Sequence, residues 1–413
     1  MALPADTPDQ STVNTTLGWL TVALALSLPL YRPWVTLATS VIIVLWFFGG
    51  NPIPRFRRLR GHRLTIAVLF FLALNIASLL WTGDLEAGLK YLTKYRYLLL
   101  IPMLASVVKP AYRRSAVDVF EVATGVSVLL SLGVLMGLFR IGDAHPGNPS
   151  PTMAHLDYGL VLAAAALLIL VRVLYSERGT SRRLMWTALA LLVVTGLMVN
   201  IGRGGHLAFA GGLAVLLVHW AWGRTVPQII GVALALIVGL ASIWISSPTL
   251  RERAHDALSE FQAAIVDHEY ESSLGGRLAA GRIAREMFRE NPILGTGVGG
   301  NIPEFRRIIY TRFPELKPSI YWYRHFHNQY NQIATELGLM GLLALGWIFW
   351  ELVFPPGRSR ETEAAALVLA AVYLLGFLSE PFFHKQITLV IFGLFAGLIS
   401  AEDLESASAT AES

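Results

Sequence analysis

Twelve stretches of fifteen residues or more run almost free of charge along this chain, and they restrict its fold more than any other feature. An α-helix rises about 1.5 Å per residue, so roughly 20 apolar residues cross a hydrocarbon core about 30 Å thick. Spans are expected near 17–31, 34–50, 64–81, 91–108, 116–139, 153–175, 184–201, 206–222, 227–246, 329–354, 363–379 and 387–401. Composition agrees. Of 413 residues, 54% are hydrophobic and only 15% charged, where a soluble chain carries about a quarter. The expected fold class is an all-α integral membrane protein with about 12 transmembrane helices and one large helical periplasmic loop.

The basic residues lie in short connections between the apolar runs. Nucleic-acid binding is therefore a poor account of the net charge of +5, and no nucleic-acid partner is expected. The even-numbered connections hold Arg55, Arg57, Arg58, Arg60, Arg63, Lys109, Arg113, Arg114, Arg178, Arg182, Arg183, Arg224, Arg358 and Arg360. The short odd-numbered ones hold only Arg32, Lys90, Arg140, Arg203 and Lys385. Positive charge stays cytoplasmic, so both termini are expected in the cytoplasm of a bacterial inner-membrane protein and the odd loops in the periplasm. The polar start lacks a basic region and a small-residue cleavage site, so no removable signal peptide is read. The chain has no cysteine, which excludes disulfides and thiolate metal sites. It divides into helices one to nine (1–246), a large periplasmic loop (247–328), helices ten to twelve (329–401) and a disordered cytoplasmic tail (402–413).

The ninth connection is the long one, and loops of that length are usually functional. Eleven Lys/Arg face ten Asp/Glu there, so it is a folded cap rather than a topology signal. A helix is expected after Ser272–Ser273, running from Arg277 to Glu290 and stopping at Asn291-Pro292. The glycine-rich segment Gly295–Gly300 then makes a tight connection. No strand precedes it and no Lys-Ser/Thr pair follows, so no nucleotide is expected to bind it.

Several polar residues call for a reason. Arg203, in Asn200-Ile-Gly-Arg-Gly-Gly205, falls at the outer membrane boundary. It reads either as an interfacial arginine reaching for water or as a phosphate ligand, with the flanking glycines leaving room for a bulky group. His327 opens the tenth span at the same depth. It reads as an interfacial cap or, on the first turn of a helix whose dipole favours the neutral imidazole, as a general base. Asn328, Asn331 and Thr335 continue a polar stripe, and Tyr321, Trp322 and Tyr323 look like an aromatic belt. Arg282, Arg285 and Arg289 share a solvated helix face, whereas Arg277 aligns with Ala280, Gly281, Ala284 and Phe288 and is expected to point inward. Lys90, Lys94 and Arg96 read as snorkelling anchors or accessory anion contacts. His155 and Asp157 read as buried polar partners. No Asp/Glu/His cluster has metal spacing in the outer loops, so no metal and no cofactor are expected.

The order of these features resembles the O-antigen ligase family, which shares a domain with O-antigen polymerases. The matching pieces are the Gly-Arg-Gly turn at Arg203 and the arginine-led helix from Arg277 running into Asn291-Pro-Ile-Leu-Gly. His327-Asn-Gln-Tyr follows, leading to Glu336-Leu-Gly-Leu-Met-Gly341. The specific part spans Asn200 to Gly341. The serine often found before the first arginine is Gly202 here. The resemblance implies glycosyl transfer from an undecaprenyl-diphosphate-linked O-antigen donor to a hydroxyl of lipid A–core, at the membrane's periplasmic face. It implies His327, Arg203 and Arg277 as catalytic residues. Lys94, Arg96 and Arg282 are then accessory diphosphate contacts, and Asn328 and Asn331 acceptor or local support. A lone base with no carboxylate nucleophile favours inversion.

An O-antigen polymerase and a protein O-oligosaccharyltransferase would use the same donor with other acceptors. A transporter or lipid flippase would instead show paired halves with corresponding broken helices and charge near the midplane. The single large loop disfavours it.

Overall fold

A computed structural model describes residues 8–175, 179–228, 230–231, 234 and 248–412. Most of the ninth predicted span, 227–246, lies outside them. Every extended regular element among the described residues is helical, and no strand occurs. Among the described residues, six helices are long and apolar enough to cross a membrane: Pro110–Leu135 (α7), His155–Tyr175 (α8), Thr180–Val199 (α9), Arg203–Ala221 (α10), Gln329–Val353 (α15), and Gln386–Ser406, the apolar part of Gln386–Glu412 (α17). Arg32–Phe48 (α2) and Arg63–Ser78 (α4) are apolar but shorter. Six, against the twelve expected, has local causes. Pro8–Ser27 (α1) opens with a polar stretch, and Arg360–Gly376 (α16) has only 17 residues. The fourth predicted span is a composite of Leu85–Tyr95 (α5), a 3₁₀ turn at Arg96–Leu99 and Leu100–Val107 (α6).

The chain forms two compact units. The first comprises residues Met1–Ile76, Tyr91–Leu216 and Leu343–Ser413. In it α17 packs along α6, α8 lies between α9 and α16, and α1 lies against α2 and α7. The reason is apolar burial on several faces: α8 is buried almost throughout, from Tyr158 to Ile169. An aromatic cluster of Phe349, Tyr373, Phe377, Phe383 and Phe392 fills the space beside α17, with Phe377 and Phe383 edge-on at 5.0 Å. Ion pairs fix the far end of α17. Arg358 binds Asp403 at 2.6 Å and Arg113 binds Glu405 at 3.0 Å. The helix thus continues to Glu412, past the point where composition predicts disorder.

The second unit comprises Ala77–Lys90 and Leu217–Leu342. Ser273–Glu290 (α12) and Asn301–Arg312 (α13) pack together over a core of Ala280, Ile283, Met287, Phe305, Ile309 and Phe326. The expected helix is α12. Ser272 caps it by accepting the Gly275 N–H at 3.0 Å, and Asn291 ends it before Pro292.

Within α15 the helix breaks at Gly338 (φ 61°, ψ −152°), a conformation essentially confined to glycine. A break strands carbonyls before it and amides after it. The segment from Pro292 to Gly297 takes up both. Thr296 and Gly297 donate their N–H groups to the carbonyls of Thr335 and Glu336, each at 2.9 Å. The amides of Leu339 and Met340 donate to the carbonyls of Pro292 and Ile293 at 2.8 and 3.2 Å.

Candidate active site

Two of the three candidate catalytic residues, Arg277 and His327, belong to the second unit. Arg277 lies in the second turn of α12 and is half-buried, while Arg282, Arg285 and Arg289 on the same helix are exposed. Arg289 pairs with Glu286, and Arg282 donates to the Tyr270 hydroxyl at 3.0 Å and lies over the Phe313 ring. His327 is also half-buried. It stands outside α15 rather than on the first turn. Asn328 is the capping residue, its Oδ1 accepting the Asn331 N–H at 3.0 Å, and His327 precedes it with φ at 49°. Asn is a much better cap than His because its side-chain oxygen reaches the first-turn amides.

Two close approaches tie α12 to this region. A Cβ at Gly276 would lie 2.2 Å from the Tyr323 hydroxyl, and one at Gly281 would lie 3.5 Å from Asn331 Nδ2. Gly276 and Gly281 bracket Arg277 on the helix, and Tyr323 and Asn331 bracket His327. The stretches of chain that carry Arg277 and His327 therefore lie beside each other in the unit. Tyr323 is buried and part of the core, so only Trp322 of the expected aromatic belt is strongly exposed.

Arg203, in the first unit, is the first residue of α10 and half-buried. Its turn is set by Asn200, which is buried and accepts the Gly202 N–H at 2.6 Å. The glycines beside Arg203 do not leave open room. A Cβ at Gly204 would sit 2.1 Å from Ser379 Oγ, and one at Gly205 would sit 2.6 Å from the Gly159 backbone. They let α10 close onto α8 and onto the end of α16.

Lys94 is half-buried with its ammonium 5.3 Å from the Tyr91 ring, which stacks on His384 at 4.5 Å. His384 Nε2 also meets the Tyr95 hydroxyl at 2.6 Å. Arg96, in the 3₁₀ turn, is exposed and lies over Tyr97. Asp157 has a partner that sequence reading missed: Lys385 Nζ lies 2.9 Å from it and 3.4 Å from the buried Glu380. Burial, the largest single effect, lowers the Lys385 pKa, but the two carboxylates together outweigh it and hold it above its ordinary value. A signal for this pairing existed only in the polarity of Ser379-Glu380 and Lys385 next to apolar runs.

These features define a polytopic, all-helical membrane protein with cations and an imidazole held at the ends of its helices. Residues 188–346 match the family model described as O-antigen ligase. Members of that family are glycosyltransferase-like enzymes, ligases and polymerases, that act on lipid-linked polysaccharide in membranes. No curated protein matches the chain.

Proposed function

We propose that the protein is an O-antigen ligase of the bacterial inner membrane, transferring polysaccharide from undecaprenyl diphosphate to a hydroxyl of lipid A–core. Both termini are then cytoplasmic, the chain crosses about twelve times, and residues 247–328 face the periplasm with the active site.

In the reaction the acceptor oxygen attacks the anomeric carbon, and the bond from that carbon to the diphosphate oxygen breaks. The electron pair leaves with the lipid diphosphate. His327 takes the proton of the attacking hydroxyl as general base. Arg277 and Arg203 meet the charge that grows on the leaving diphosphate, the largest lever open to a poorly hydrated site. Lys94, Arg96 and Arg282 are accessory contacts to the same group, and Asn328 and Asn331 support His327 or the acceptor. Guanidinium groups supply the positive charge, so the step is written without a metal. One displacement at one carbon inverts its configuration.

The observation that carries this reading is the pair of approaches, Gly276 to Tyr323 and Gly281 to Asn331, made by residues on either side of Arg277 and of His327 within the matched region. The test is transfer in detergent with purified protein, polyprenyl-diphosphate-linked glycan and lipid A–core, beside His327→Ala. Wild-type transfer that collapses by about a hundredfold or more in the folded variant supports the assignment. Lengthening of the lipid-linked glycan with core untouched makes the protein a polymerase. A covalent glycosyl-enzyme rules out the inverting step.

A further inference from the structure

His327 is one of two non-glycine residues with positive φ among the described residues, and its neighbours account for that backbone. Its own N–H donates to His325 Nδ1 at 3.3 Å, and the two rings lie 4.1 Å apart. A ring nitrogen accepts such a bond through its lone pair. From another direction Tyr323 meets the His327 ring edge-on at 5.0 Å. The far tip of the same tyrosine rests on the backbone of Gly276, the residue before Arg277. Ile320, Tyr323 and Phe326 are anchored in the core of the unit, with Phe326 edge-on to Phe305 at 5.2 Å. The segment that carries His325 and His327 is thus seated at three points.

Resting on the reading of His327 as the general base, we propose that His325 and Tyr323 are its positioning residues. His325 holds the His327 main chain in its left-handed turn by accepting the N–H. Tyr323 is a rigid spacer whose ring sets the separation between the imidazole and the backbone that carries Arg277. Neither touches substrate. A base displaced by a fraction of an ångström still permits binding but loses rate, because productive attack needs atoms already aligned.

Kinetics in the transfer assay test this with two rescue pairs. His325→Leu lowers kcat about tenfold or more and leaves KM within about twofold. His325→Asn, whose amide oxygen sits where Nδ1 does, keeps most of the wild-type kcat, whereas His325→Gln, which reaches only to the Nε2 position, falls with Leu. Activity in Gln but not in Asn overturns the proposal by assigning the role to Nε2. Gly276→Ala also lowers kcat, by pushing on the tyrosine hydroxyl. Adding Tyr323→Phe removes that hydroxyl and leaves Cζ as the nearest atom at 3.2 Å, so most of the rate returns. Simple damage to packing is not repaired by a second substitution, and failure of the double variant to recover overturns the spacer. Melting temperature confirms that each variant is folded, and the Gly276/Tyr323 pair decides the matter where His325→Leu is not. His327→Ala, run beside them, separates the two ideas. If it alone loses activity, the positioning proposal fails and the base stands. If it stays active, both fail.

Discussion

The amide of Leu339 donates to the carbonyl of Pro292 at 2.8 Å, joining the second half of a broken helix to the end of α12. That bond, with its three companions, pairs two carbonyls before the turn at Gly338 and two amides after it. An alanine at 338 must adopt φ 61° and would place its Cβ 2.4 Å from the Ile293 backbone. Gly338→Ala is therefore expected to destabilise the protein by about 3 kcal/mol or more. Gly346→Ala, in the same helix with nothing within 4 Å of the new Cβ, should be stabilising by about 0.5–1 kcal/mol. Thermal melts in detergent compare the two.

Asn328 caps α15 through Asn331. Asn328→Ala should cost about 1 kcal/mol of stability and lower transfer, since the residue next to His327 loses its anchor. Asn328→Asp keeps an accepting oxygen and should melt like the wild type. Melts and initial rates on the same preparations check the pair.

Half-buried Arg277 and exposed Arg289 lie on one helix and predict opposite outcomes. Arg277→Ala is expected to lower kcat/KM by about 10²–10³, and Arg277→Lys to recover little, because an ammonium does not match a diphosphate in two places. Arg289→Ala should stay within about twofold of wild type, since an exposed ion pair contributes little. Steady-state rates with the lipid-linked donor discriminate these.

Transfer should persist after exhaustive treatment with a chelator, because arginines rather than a divalent ion meet the leaving diphosphate in the proposed step. Loss of activity on chelation, restored by adding one metal, would reject that part of the mechanism.

His62 precedes α4 and caps it, Nδ1 accepting the Thr65 N–H at 3.3 Å. Burial is the main reason its pKa lies below the ordinary 6.5. The sign follows: the unfolded chain binds a proton near pH 6.5 that the folded chain refuses. The contribution of the neutral cap is present in full above that pH and is lost as pH falls through it. Melting temperature should drop on acidification below about pH 6.5, and His62→Asn, which caps without titrating, should flatten that slope.

What the sequence made legible was local. The apolar runs locate the helices, and α12 could be read from Ser272 at one end and Asn291-Pro292 at the other, because caps and breakers act over three or four residues. The cap at Asn328 was misread, with His327 placed on the first turn, although asparagine outranks histidine as a cap. Non-local facts were not legible. Glu336-Leu-Gly-Leu-Met-Gly reads as tolerable helix, and only carbonyls and amides from residues 292–297 turn Gly338 into a break. The Ala/Glu/Ser-rich tail reads as disordered because Arg113 and Arg358, which hold Glu405 and Asp403, are far away in sequence. Glycines around Arg203 announce a close approach, but not that Ser379 and Gly159 make it.

Synthesis runs from the N-terminus, and this bears on how the interrupted helix is built. The segment from Pro292 to Gly297 has left the ribosome well before Gly338 does. The four groups of that segment that pair across the break are therefore made before it. An open helix end in hydrocarbon is expensive, and here the chain supplies the remedy in advance, within a single stretch of some fifty residues.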